Sequence, residues 1–244
     1  MTANATLPFD PLLTILVLPR GGGVHASGRL LIAASPSTAL NQAWTMARTA
    51  AKSLDRAVQV SVGRSNGIVE TFMMDRDGSR VRLSAPPVLP PLDPADPRWT
   101  DGRLITHPLV APIKAAEADQ GIPRARAAAY QLAQQLRREL DPNHPYLVLA
   151  DELQAHFALR DEDWPFASRL YRATADTRHR LRSPAGDQRF TVHNAVASWL
   201  SASETDAQVL ADGYQLGHLL VRVAPRHSKA IAAVLDRLSA LVGR

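Results

Sequence analysis

The sequence predicts an α+β protein in two parts. A small N-terminal α/β domain, built as hairpin, helix and meander, occupies residues 1–84, and an all-α array of helical hairpins occupies 105–244, with a proline-rich connector at 85–104. Three observations carry this division. Strand-like apolar runs lie almost entirely in the first third of the chain, prolines cluster between Pro86 and Pro97, and a Tyr-to-Pro segment recurs three times beyond Arg124. Tyr130, Tyr171 and Tyr214 lie 41 and 43 residues apart, and Pro142, Pro184 and Pro225 follow them by 11 to 13 residues. A recurrence near 42 residues is in the range of stacked helical hairpins, whose units cannot bury their apolar faces alone.

At 244 residues and 45% hydrophobic content, the chain is long enough for a sizeable buried core. It has no cysteine, which excludes disulfides, thiolate metal sites and a thiol nucleophile. No apolar run approaches the roughly 18–20 residues that span a bilayer, and the first residues lack a basic segment before their apolar stretch. The expectation is a cytoplasmic protein with no membrane partner and no cofactor. A net charge of +5 and a pI near 10.1 favour nucleic acid only slightly, because the excess is spread along the chain. Lysine occurs only at Lys52, Lys114 and Lys229, and arginine carries the rest, as a GC-rich genome would dictate.

In chain order, residues 12–19 and 27–34 read as two strands of a hairpin joined by a glycine-rich loop at 20–26. That loop leads into a strand and not into a helix N-terminus, so it is a reversal and not a phosphate cradle. Ser35 is a candidate N-cap with Pro36 in the first helical position, and Leu40, Trp44, Ala47, Ala51 and Leu54 follow at helical spacing. Val58, Val60 and Val62 then alternate with polar residues, and Asp77-Gly78 signals a second hairpin. One helix on one face of a small sheet would bury the apolar side of each. The run 84–99 holds six prolines; its Pro-x-x-Pro spacings at Pro87–Pro90 and Pro91–Pro94 suit a semi-rigid spacer better than a recognition motif.

Seven helical patterns follow, with Pro123, Pro145 and Pro165 in first turns, Asp163 and Thr191 as N-caps, and a last helix over about Arg226–Leu241 ended by Gly243. The stretch 146–150 alone also reads as a buried strand. Short connections imply antiparallel neighbours.

These residues resemble tetratricopeptide repeats, in particular the longer variety of about 42 residues found in kinesin light chain and in many bacterial proteins. Ala155, Ala167 and Tyr171 fill the family's small, small and aromatic places, and Pro184 ends the unit. In the preceding unit Tyr130, Ala133 and Pro142 match while Arg126 replaces the small residue; in the following one Tyr214, Gly217 and Pro225 match while Leu210 replaces it. The resemblance implies a curved stack capped by the last helix, whose inner face holds a peptide or partner domain through Glu152, His156, Arg160 and Asn194.

For chemistry, the eight histidines form no HxxxH or HExxH pattern; His156, His179, His193, His218 and His227 stand alone in sequence, and GxSxG and SxxK are absent. The function expected is therefore a non-catalytic protein–protein interaction scaffold. The alternative is a nucleic-acid binder using Arg169, Arg172, Arg178, Arg180, Arg182 and Arg189 on phosphates, or a structural subunit that presents its sheet edges to a larger assembly.

Overall fold

The computed structural model describes residues 12–21, 23–83, 96–203, 205 and 208–243. The expected connector at 85–104, with its Pro-x-x-Pro spacings, lies largely outside the described residues. The chain forms two compact units, one of residues 1–89 with 213–244 and the other of residues 90–212.

In the first unit, β1 (Leu12–Val17), β2 (Val24–Ala26), β3 (Arg29–Leu31), β4 (Val58–Gly63), β5 (Val69–Met74) and β6 (Arg80–Leu83) form one sheet in the order β3-β2-β1-β4-β5-β6. β1 and β4 are parallel and every other pair is antiparallel. The glycine loop does more than reverse the chain. Its Val24–Ala26 is itself the strand paired to β1, and the expected second strand pairs outside it. Ser27 and Gly28, at φ 48° and 77°, supply the two positive dihedrals of a tight hairpin turn.

Helix α1 (Pro36–Ser53) starts as expected, with the Ser35 hydroxyl accepting from the Thr38 amide at 3.2 Å. Its Ala39, Ala43, Trp44, Ala47 and Ala51 pack with Ile15, Val24, Val58, Val60 and Val62. Each fully buried valine or isoleucine there contributes roughly 1.5–3 kcal/mol. Leu54, expected on this stripe, is exposed.

The opposite face of the sheet is also buried. Leu16, His25, Gln59, Ser61 and Thr71 project there, and every residue of β4 is buried, where the alternation led us to expect a solvated side. In this unit the residues of α7 (Val209–Val223) from Gly213 on, together with α8 (Ser228–Val242), lie over that face. A Cβ at Gly217 would sit 2.8 Å from Leu16 Cδ1, and one at Gly63 2.7 Å from Val221, so glycine at both places sets how closely α7 seats. The Ser239 hydroxyl of α8 donates to the Pro19 carbonyl at 2.7 Å. The sequence places residues 213–244 in the helical array, whereas they share a compact unit with the sheet.

The second unit holds 3-10 turns at Pro97–Trp99 and Arg103–Thr106, then α2 (Val110–Ala118), α3 (Ile122–Glu139), α4 (Pro145–Arg160), α5 (Trp164–Arg180) and α6 (Ala185–Ser201). Each of these helices packs on the next. Residues 146–150 are helical, and α6 begins at Ala185, so Thr191 is an internal residue and not a cap.

A 42-residue repeat is present in two successive hairpins. Two residues beyond α2 stands Gln120 (φ 54°), with the Gly121 amide bonded to the Ala116 carbonyl, and two residues beyond α4 stands Glu162 (φ 59°), with the Asp163 amide bonded to the Ala158 carbonyl. Both are left-handed helix ends followed by a proline, Pro123 or Pro165, in the next first turn. The buried stripes of α3 and α5 match at the same offset: Ala125 with Ala167, Ala129 with Tyr171, Ala133 with Ala175, Leu136 with Arg178.

The tyrosines do not follow it. Tyr171 is 2% exposed while Tyr130 is 54% exposed, one residue beyond its counterpart position. Tyr214, 8% exposed, stacks on His25 in the first unit.

Candidate functional site

A cleft of about 370 Å³ opens between α3, α4 and α5. Pro142, Leu147, Val148 and Ala173 form its apolar floor, and Arg137, Asp151, Thr174, Thr177 and Arg180 supply the polar groups. Arg137 and Asp151 are ion-paired, and Gln154 donates to the same carboxylate at 2.9 Å. Burial is the main influence on Asp151 and pushes its pKa up, against the pull of Arg137.

Arg180 differs from Arg137. Its guanidinium donates to Asn143 Oδ1 at 3.3 Å and to Thr177 Oγ1 at 3.2 Å, both neutral. Asn143 is itself set by the turn before α4, where its amide bonds to Asp141 Oδ1 at 2.8 Å. The cleft therefore holds one cation already neutralised and one oriented by uncharged acceptors.

The residues expected to line a groove are divided. Glu152 is committed to the interior. It accepts from Arg178 Nε and Nη2 at 2.5 and 2.6 Å and from the Thr191 hydroxyl at 2.5 Å. His156 and Arg160 are exposed on α4, Arg160 reaching Glu117 of α2 at 2.6 Å. Partial desolvation of the ring and the neighbouring Arg160 lower the His156 pKa. Asn194 is half-buried and hydrogen-bonded to Tyr171, whose pKa burial pushes up to about 12.

The six arginines do not present one surface. Arg178 is buried, lies 4.7 Å over the Trp99 ring and is ion-paired to Glu152 and, at 3.4 Å, to Asp187. Arg169 and Arg172 share Asp212, at 3.3 and 3.8 Å. Arg180 is at the cleft, and Arg182 and Arg189 are exposed at the turn into α6 and on its first turns.

The histidines are less solitary than their sequence positions suggest. In the first unit, His25 Nδ1 meets His218 Nε2 at 2.7 Å, and the other nitrogen of His218 bonds the Thr14 hydroxyl. Tyr214, one turn before His218, stacks on His25 at 3.9 Å. Burial lowers the pKa of His25 to about 4 and that of His218 to about 3, so both are neutral at pH 7. No local signal connects residues so far apart. Only the placement of α7 over the face of β1 and β2 does so.

Among the described residues, no group of three or more His, Asp or Glu is placed to hold a metal ion, and no helix is long and apolar enough to cross a membrane. Comparison with protein-family models, with curated proteins and with solved structures finds no match in any of the three.

Proposed function

We propose that the chain is a non-catalytic interaction scaffold whose tetratricopeptide-like helical array holds an extended segment of a partner protein. The observation that carries this reading is the α3–α4–α5 cleft, in which Arg180 stands over an apolar floor with no carboxylate partner among the described residues. Its volume of about 370 Å³ suits one or two side chains, within the usual range for ligand sites. An acidic residue of the partner would pair with Arg180, and an adjacent aliphatic one would cover Leu147, Val148 and Ala173. Because the guanidinium is already oriented by Asn143 and Thr177, little side-chain freedom is lost on pairing. The flank of α4 bearing His156 and Arg160 would extend the contact.

Fluorescence polarisation with short labelled peptides tests this. Peptides with Glu beside Leu should bind, and Lys in place of Glu should abolish binding. Arg180→Glu should weaken binding at least about tenfold, equivalent to about 1.4 kcal/mol. His156→Ala and Arg160→Ala should cost less. Equal affinity for the lysine peptides, or an unchanged affinity in Arg180→Glu, would overturn the reading.

A further inference from the structure

Applied to α6, the 42-residue offset exposes a surface that the first two hairpins keep covered. Val148, Ala155 and Ala158 of α4 are buried, and they lie outside the cluster through which Leu147, Ala150 and Phe157 of the same helix pack with α3. α4 packs on α5 as well, and Val148 lines the cleft together with Ala173, Thr174 and Thr177 of α5, so we take Val148, Ala155 and Ala158 as the side turned to α5. One repeat earlier, Ile113 and Ala116 of α2 correspond to Ala155 and Ala158, and they are buried in one cluster with Ala125, Ala129 and Ala133 of α3. One repeat later the corresponding residues of α6 are Phe190, Ala197 and Leu200, with His193 between them where α4 has Asp151. All four are exposed, Phe190 by 63% and Leu200 by 41%.

Phe190, His193, Ala197 and Leu200 recur at i, i+3, i+7 and i+10, so they form one continuous stripe along the helix. The other side of α6, with Val192, Ala195, Val196 and Trp199, is buried, and α5 is its neighbour.

We infer that this stripe is a docking site for an amphipathic helix of another polypeptide, with alanine or glycine at every fourth position of its contact face and carboxylates along one flank. The repeat states the geometry. The helix covering α2 presents Ala125, Ala129 and Ala133, and α5 presents Ala167 and Ala175 on either side of Tyr171, so small residues at i and i+8 recur in both covering helices and admit close approach. Where α4 has Val148 and Ala158, α6 has the larger Phe190 and Leu200, and the incoming helix must be correspondingly smaller opposite them. The charge follows from Arg189, exposed beside Phe190 and with no ion pair among the described residues. This surface is separate from the Arg180 cleft, and the inference does not rest on the reading of that cleft.

The test uses the full chain and a designed helical peptide with an alanine seam and a glutamate flank. Two control peptides carry leucine in the seam or lysine on the flank. Binding is followed by isothermal titration, and perturbed amide resonances are mapped by NMR. The alanine–glutamate peptide should bind and perturb α6, both controls should bind at least tenfold more weakly, and Phe190→Asp should weaken binding at least tenfold. Arg180→Glu should leave it unchanged, which separates this inference from the cleft. Circular dichroism of Phe190→Asp, a change at an exposed position, checks that the fold is kept. Absence of binding, or binding indifferent to Phe190→Asp, overturns the proposal. So does self-association in sedimentation that Phe190→Asp abolishes, because the occupant would then be a second copy of the chain.

Discussion

Each unit buries a polar cluster among its helices or strands, and the two clusters are stabilised in opposite ways. In the second unit Arg178 is charged, bonded through two nitrogens to Glu152, and shared by α4, α5, α6 and the turn at Trp99. In the first unit Thr14, His218 and His25 form a neutral chain with no carboxylate partner among the described residues, beside a Tyr214 hydroxyl that has no hydrogen bond to any of them. The charged cluster depends on keeping both of its partners. The neutral one depends on staying unprotonated. The repeat sharpens the contrast, since the position of Arg178 is occupied one unit earlier by Leu136. An apolar residue therefore suffices to close such a hairpin, and the ion pair is expected to act mainly on which helix side meets which.

The largest expected effect comes from breaking that pair. Glu152→Ala leaves a buried guanidinium facing, among the described residues, Asp187 at 3.4 Å and the Trp99 ring, and should cost about 3–5 kcal/mol in urea denaturation. The double change Glu152→Leu with Arg178→Met should recover most of the loss. A double variant as unstable as the single one would show that the pair contributes more than specificity.

Next in size is the response of the first unit to acid. Because folding lowers the pKa of His25 from 6.5 to about 4 and of His218 to about 3, the unfolded chain binds protons that the folded chain refuses. Stability is therefore full above about pH 6.5 and falls as pH drops toward 4, by about 3 kcal/mol for each histidine taken singly. Arg222, which also lowers His218, adds to this repulsion. Urea midpoints between pH 7 and pH 4 check it. Replacing both histidines, His25→Phe with His218→Leu, should flatten the dependence; an unchanged slope would place the acid sensitivity elsewhere.

How much of this was legible depends on how local the signal is. The α1 cap, the Asp77-Gly78 turn and the prolines of α3, α4 and α5 are local, and their elements formed where expected. The 42-residue spacing was visible too, but the tyrosines read it one residue out. In the run 125–130 four alanines precede Tyr130, so only the buried side of α3 distinguishes Ala129 from its neighbour. Thr191 looked like a cap because threonine often is one, yet its hydroxyl serves Glu152, 39 residues away. Gln59 and Ser61 signalled a solvated face because alternation cannot report a second covering layer. The cleft depended on the same long-range facts, since Arg137, Asp151 and Arg180 come together only after three helices have packed.

The smallest effect bears on the weaker point of the neutral cluster. Tyr214 is held by stacking on His25 at 3.9 Å with an interplanar angle of 10°, and burial raises its pKa while leaving its hydroxyl without a partner among the described residues. Phenylalanine would keep the stack and remove the orphan group, so Tyr214→Phe should stabilise the protein by about 1 kcal/mol. Thermal melting at pH 7 reads this. The gain should persist at pH 4, because the hydroxyl is neutral at both values and takes no part in the histidine titration. A loss of stability instead would mean that the hydroxyl is bonded in solution, and that the first unit's cluster is as fully satisfied as the ion pair of the second.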